Sequence, residues 1–207
     1  MNMLGKAQAE KVFIPTSRGK IESKYYKAPT FTSAVILLGG CEGGWWNPTQ
    51  GSMYPELCSK LNQIGISALH LKYRYGGELE ECTHDVLEAL KYLKKEGILK
   101  AGIVGWSFGG AVVCQGAGKS DTGLVKAVAT LATQSAGVSP IRNAKGVASL
   151  FIHGNEDTCL DKRCSEYTYK LAHEPKRLMI VSDHHGFFDT THEVQEGVIN
   201  WFKKYIL

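Results

Sequence analysis

The residues of this chain most suited to chemistry lie in Gly105-Trp106-Ser107-Phe108-Gly109, a serine with glycine two positions away on either side. The apolar pair Ile103-Val104 precedes it and Gly110-Ala111-Val112-Val113-Cys114 follows, so the segment reads as strand, sharp turn and helix start. A turn of this kind lifts the serine hydroxyl clear of the sheet edge. Glycine is needed on both sides because a Cβ there would collide with neighbouring backbone. The N-terminus of the following helix favours negative charge near the serine oxygen. With thirteen serines and 23 glycines in 207 residues, chance alone supplies about 0.16 matches to Gly-x-Ser-x-Gly, so the assignment depends on what accompanies it.

A serine hydroxyl is a poor nucleophile until a base takes its proton, and histidine suits that task at neutral pH. A carboxylate is then needed to hold the imidazole and stabilise its cation. The acid candidate is Asp157, in His153-Gly154-Asn155-Glu156-Asp157 after the apolar run Val147–Ile152, with Glu156 as the alternative. The base candidate is His185, in Asp183-His184-His185-Gly186-Phe187 after Lys176–Val181. His184 is its rival, since two adjacent residues point in different directions. Of the other histidines, His70 reads as a core residue in a strand and His153 as structural at a strand end. His84, His173 and His192 read as helix-surface residues.

A tetrahedral intermediate also needs two donors for its oxyanion. The backbone N–H of Phe108 is one candidate. The other comes from the glycine-rich run Gly39-Gly40-Cys41-Glu42-Gly43-Gly44, with Cys41 preferred over Glu42. Trp45, Trp46 and Trp106, with Phe108, are candidates to line a substrate pocket, and equally natural as packing. Arg74 reads as a partner in a structural ion pair more readily than as a substrate contact.

Strands and helices must alternate to position these residues. Lys11–Pro15 and Ile21–Ala28 read as strands around the turn Ser17–Lys20. Ala34–Leu38, Ile66–Leu71, Ala101–Val104, Val125–Ala132, Val147–Ile152 and Lys176–Val181 follow as strands. Gly51–Gln63, Leu79–Glu96, Gly110–Gly116, Asp161–Ala172 and Thr191–Tyr205 read as helices, the second with Val86, Leu87, Leu90 and Leu93 on one face. The alternation implies an α/β fold with a mostly parallel sheet. Thr133–Gly146 reads as a loop with no room for a substantial lid, so the site should be open. One domain over residues 1–207 is expected.

Hydrophobic content of 43%, charged content of 21% and a net charge of +4 are ordinary for a soluble globular protein. The charge is spread out, with no basic stripe interleaved with aromatics, which argues against nucleic acid as a partner. No apolar run approaches the ~18 residues of a membrane span, and Met1–Lys11 has no apolar core of a secretory signal. Cys41, Cys58, Cys82, Cys114, Cys159 and Cys164 are scattered and read as reduced, including the pair Cys159 and Cys164. The expected compartment is the cytoplasm. The histidines and cysteines form no zinc spacing, so no metal is expected.

Taken together, Leu-Leu-Gly-Gly-Cys-Glu-Gly-Gly, Lys-Tyr-Arg, Gly-Trp-Ser-Phe-Gly-Gly, His-Gly-Asn-Glu-Asp and His-His-Gly-Phe-Phe resemble the α/β-hydrolase superfamily from about Lys11 onward. The chain looks most like its small lidless members, of dienelactone-hydrolase type, and the catalytic domains of acyl-CoA thioesterases. The resemblance implies an eight-stranded, mostly parallel sheet with helices on both faces. It also implies hydrolysis of an ester or thioester through an acyl-enzyme, without a cofactor. Two departures stand out. Many members carry His-Gly where this chain has Gly39-Gly40, and dienelactone hydrolases commonly use cysteine where it has Ser107. The expected activity is cleavage of a small-molecule carboxylic ester or thioester by Ser107, His185 and Asp157. The alternatives are acyl transfer or peptide cleavage by the same three residues, or ligand binding without catalysis on the same fold.

Overall fold

The computed structural model of the chain describes residues 8–29 and 32–207. The first seven residues, part of the Met1–Lys11 stretch considered above, lie outside it. Eight strands form one sheet: β1 (Glu10–Thr16), β2 (Gly19–Tyr26), β3 (Ser33–Leu38), β4 (Ser67–Lys72), β5 (Lys100–Trp106), β6 (Val125–Leu131), β7 (Ala148–Gly154) and β8 (Lys176–Val181). Their spatial order is β1-β2-β4-β3-β5-β6-β7-β8. Only β1–β2 and β2–β4 pair antiparallel. Every pair from β4 to β8 is parallel, as expected for strands joined by helical crossovers.

The helices are α1 (Met53–Gln63), α2 (Leu79–Lys95), α3 (Phe108–Lys119), α4 (Arg163–Leu171) and α5 (Thr191–Ile206). The continuous apolar run of β3 is explained by burial on both faces. Ala34, Ile36 and Leu38 join the core under α2 and α3, while Val35 and Leu37 join the core under α1 and α5. The chain leaves β3 through α1 toward β4, then returns through α2 to β5 on the other side. That reversal lies between β3 and β5, and ligands of open α/β sheets bind outside the C-terminal ends of the strands at such a point.

Some boundaries differ from the sequence reading. Helix α1 starts at Met53 instead of Gly51, because Thr49, Gln50 and Gly51 all have positive φ and form a left-handed turn. Helix α4 starts at Arg163 instead of Asp161, whose Oδ1 accepts the Arg163 N–H at 2.8 Å. Helix α4 ends at Leu171, so His173 lies beyond it, exposed, and His84 is half-buried instead of superficial. The stretch Thr133–Gly146 contains one turn of 3-10 helix, Ser139–Asn143, with Pro140 at its start, and no lid. Among the described residues no helix is long and apolar enough to cross a membrane.

Candidate active site

Ser107 joins β5 to α3 with φ 57° and ψ −120°, a region that costs a non-glycine residue roughly 1–3 kcal/mol. Close packing holds it there. Its N–H donates to the Leu131 carbonyl at 2.8 Å. A Cβ on Gly105 would overlap the Gly109 carbonyl, and a Cβ on Gly109 would overlap the carbonyl of Gly39. The second contact brings the end of β3 and its glycine-rich loop onto the first turn of α3. A serine at a helix N-cap ordinarily spends its hydroxyl on the helix. In this conformation Ser107 makes no such bond, so its hydroxyl stays available at the sheet edge. Phe108 is the first residue of α3. Among the described residues neither its N–H nor that of Cys41 donates to a backbone carbonyl.

His185 and Asp157 meet between the loops after β8 and β7. His185 Nδ1 lies 2.7 Å from Asp157 Oδ2. A carboxylate offers only acceptors, so Nδ1 carries the proton and Nε2 is left as the basic nitrogen. The Trp106 indole N–H donates to the His185 carbonyl at 2.8 Å, and the two rings are 5.2 Å apart between centroids. The residue next to Ser107 in sequence thus fixes the histidine. The rivals are engaged elsewhere. His184 Nδ1 is 2.8 Å from the Glu156 carbonyl, and the Glu156 carboxylate accepts from Ser182 at 3.1 Å. Both side chains are more than half exposed.

The Asp157 side chain is fully buried. Its Oδ1 accepts the backbone N–H groups of Cys159 and Leu160, each at 2.8 Å. Burial pushes its pKa upward, but hydrogen bonds from His153, His185 and Leu160 outweigh that and hold the carboxyl well below the usual carboxylate range. The two loops are also stitched together. Asn155 N–H donates to Val181 at 2.8 Å and Glu156 N–H to Asp183 at 3.0 Å. A side chain at Gly154 would overlap the Asp183 carbonyl.

Several residues that shape the site carried no motif. Asp183 is buried and its carboxylate organises the histidine loop. Oδ1 accepts the N–H groups of His184 (2.7 Å) and Phe188 (3.2 Å). Oδ2 accepts those of Asp189 (2.9 Å) and Thr190 (2.7 Å) and the Thr190 hydroxyl (2.8 Å). Burial again pushes the pKa up, and these donors pull it below the ordinary value. Thr49 supports the same loop from outside, its N–H donating to Gly186 at 2.9 Å. The buried Asn47 side chain shapes the loop after β3, donating to Trp45 and Gly51 carbonyls and accepting the Tyr54 N–H.

The three tryptophans part company. Trp106 braces His185. Trp45 packs edge-on against His70 at 5.0 Å, with Lys24 Nζ 4.3 Å over its ring. His70 is a core residue, and its burial lowers its pKa to about 3. Trp46 is 44% exposed, as is Phe188 at 50% on the histidine loop. Arg74 is engaged internally, by Asp85 at 2.5 Å and Glu81 at 2.7 Å. All six cysteines are free.

A scan of the sequence against protein-family models finds no match, and a search of curated proteins finds none. Solved structures, by contrast, match over nearly the whole chain. A dienelactone hydrolase from Anabaena variabilis superposes with a TM-score of 0.86 at 17% identity, covering 98% of this chain and 100% of that one. An esterase from Pyrococcus furiosus gives 0.81 at 16% identity, covering 97% and 92%. Est1E from Butyrivibrio proteoclasticus gives 0.80 at 16% identity, covering 94% and 98%. At such identities the likeness is one of fold, and the fold is that of the α/β-hydrolases.

Proposed function

We propose that this protein is a serine hydrolase that cleaves small carboxylic esters or thioesters through an acyl-enzyme. In this reading the Ser107 Oγ attacks the carbonyl carbon while His185 Nε2 takes its proton. The Phe108 and Cys41 N–H groups receive the oxyanion. The imidazolium then protonates the leaving alcohol or thiol, and a water activated by the same histidine releases the acid. Asp157 holds the tautomer and stabilises the imidazolium without taking the proton.

One observation carries the reading. His185 is bonded on one side to the buried Asp157 carboxylate and tied through its carbonyl to Trp106, the neighbour of Ser107. A histidine placed only for packing needs neither. The esterase and hydrolase neighbours in fold add support. Exposed Trp46 and Phe188 on loops tied together by Thr49 make esters with flat, apolar groups the first to try. The free cysteines favour a reducing compartment such as the cytoplasm.

The deciding experiment is labelling with a fluorophosphonate, which bonds to serines that are activated beside an oxyanion hole. The expected result is one adduct, located on Ser107 by mass spectrometry and absent from S107A, with ester turnover lost in the same variant. Folded protein that takes no label, or an S107A variant that turns over esters at the wild-type rate, would overturn the reading.

A further inference from the structure

Asp157 has a second histidine. His153, the penultimate residue of β7 and fully buried, places Nε2 3.2 Å from the same Oδ2 that accepts from His185. The Nε2 atom also faces the Leu160 carbonyl at 2.9 Å, while Nδ1 faces the Ser165 hydroxyl at 2.7 Å. Both neighbours of Nε2 are acceptors, so Nε2 carries the proton. A hydroxyl can donate, so Ser165 supplies the hydrogen to Nδ1. One neutral tautomer satisfies every partner. The Asp157 carboxylate then receives two backbone N–H groups on Oδ1 and the His185 N–H on Oδ2, while the His153 Nε2–H, donated to Leu160, lies 3.2 Å from that same oxygen.

We propose that His153 is a positioning residue for the proton-transfer pair, fixing the Asp157 carboxylate and setting how firmly His185 holds its proton. The inference rests on the proposed roles of Asp157 and His185. The physical reason is competition for one oxygen. Each donor on Oδ2 draws off negative charge that would otherwise stabilise the His185 imidazolium. The other titratable groups on the elements around the pair are Glu156 and Cys159 on the acid loop, and Asp161, Lys162, Arg163, Cys164 and Glu166 at the start of α4. The histidine loop adds His184, Asp189 and Asp183, the last of which spends its charge on its own loop. Glu156 and His184 are largely exposed and screened by water.

The test is a pH titration of the full-length protein, following imidazole 15N and N–H proton resonances in wild type, H153N and H153Q. In wild type, His153 should be neutral with its proton on Nε2, and that proton should shift with the same midpoint as the His185 titration. In H153N the shorter amide no longer reaches Asp157. The His185 midpoint is then expected to rise by roughly half a pH unit, with the acidic limb of kcat/KM moving alongside. H153Q places an amide nitrogen where Nε2 was and should hold both near the wild-type pH. A wild-type His153 protonated on Nδ1, or an Nε2 proton that ignores the His185 titration, would overturn the proposal even if neither variant folds. So would folded H153N and H153Q variants that titrate alike. The NMR midpoints need no turnover, so absent ester hydrolysis would refute the hydrolase reading while leaving this coupling measurable.

Discussion

Asp157 and Asp183 are buried carboxylates on adjacent loops, each saturated with donors and each held more acidic than usual. They differ in who donates. Asp183 takes all its hydrogens from its own loop, between His184 and Thr190. Asp157 takes two from its own loop and one from the His185 imidazole, on a different loop 28 residues away, with the His153 Nε2–H close beside it. A carboxylate satisfied locally builds a shape. A carboxylate that reaches across to a titratable group couples shape to proton affinity. The same side chain, equally buried, thus serves architecture in one place and, in the proposed function, chemistry in the other.

The sharpest test of that contrast is D157N. The amide can still accept from Cys159 and Leu160, but its NH2 then faces His185 Nδ1 and favours the wrong tautomer. Ester turnover is expected to fall roughly 10³–10⁴-fold with the fold intact, measured as kcat beside circular dichroism. D183N should do the reverse. Losing a buried charge with five donors is expected to cost about 2–4 kcal/mol, or roughly 5–15 °C in Tm by calorimetry. Turnover of the folded fraction should fall no more than about tenfold. Equal losses of turnover in the two variants would erase the distinction.

Acid unfolding sharpens it further. Both carboxyls have folded-state pKa values below their unfolded ones. Their stabilisation is therefore present above the unfolded pKa of about 3.9 and lost as the pH falls through the folded values. Wild type should lose stability steeply below about pH 4 in urea titrations, and D183N should show a shallower dependence there. The smallest effect on turnover is expected for W106F, which replaces the buried indole with a smaller phenyl ring and removes the N–H to His185. One neutral hydrogen bond, about 1 kcal/mol, predicts a loss of roughly fivefold in kcat.

The sheet, its helices and the positions of the loops after β3, β5, β7 and β8 were legible because they rest on local signals. These are apolar runs, helical spacing, and glycines where backbones approach. His185 was separable from His184 only through the Gly-Phe that follows it, and the separation rests in space on His184 bonding to Glu156. His153 was read as structural from its place at a strand end; β7 is buried on both faces, so alternation cannot say where its ring nitrogens point. Trp106 and Trp45 were read as possible pocket walls. Their partners, the His185 carbonyl and His70, lie on other strands and loops, and nothing in the spacing of apolar residues specifies such pairings. Asp183 had a signal that was passed over, an aspartate at a strand end followed by a loop closing on threonine.

The elbow holds two neighbouring amides in opposite states. The Ser107 N–H is locked onto Leu131 between β5 and β6, whereas the Phe108 N–H beyond it has no carbonyl to hold it. In deuterated water the first should exchange only when the sheet opens, on the timescale of global unfolding, and the second within seconds to minutes. A single peptide bond would then divide the most protected backbone of the molecule from some of its least protected. That gives a kinetic clock at the elbow: under the proposed function, a substrate-derived anion seated on Phe108 would slow the fast amide and leave the slow one untouched.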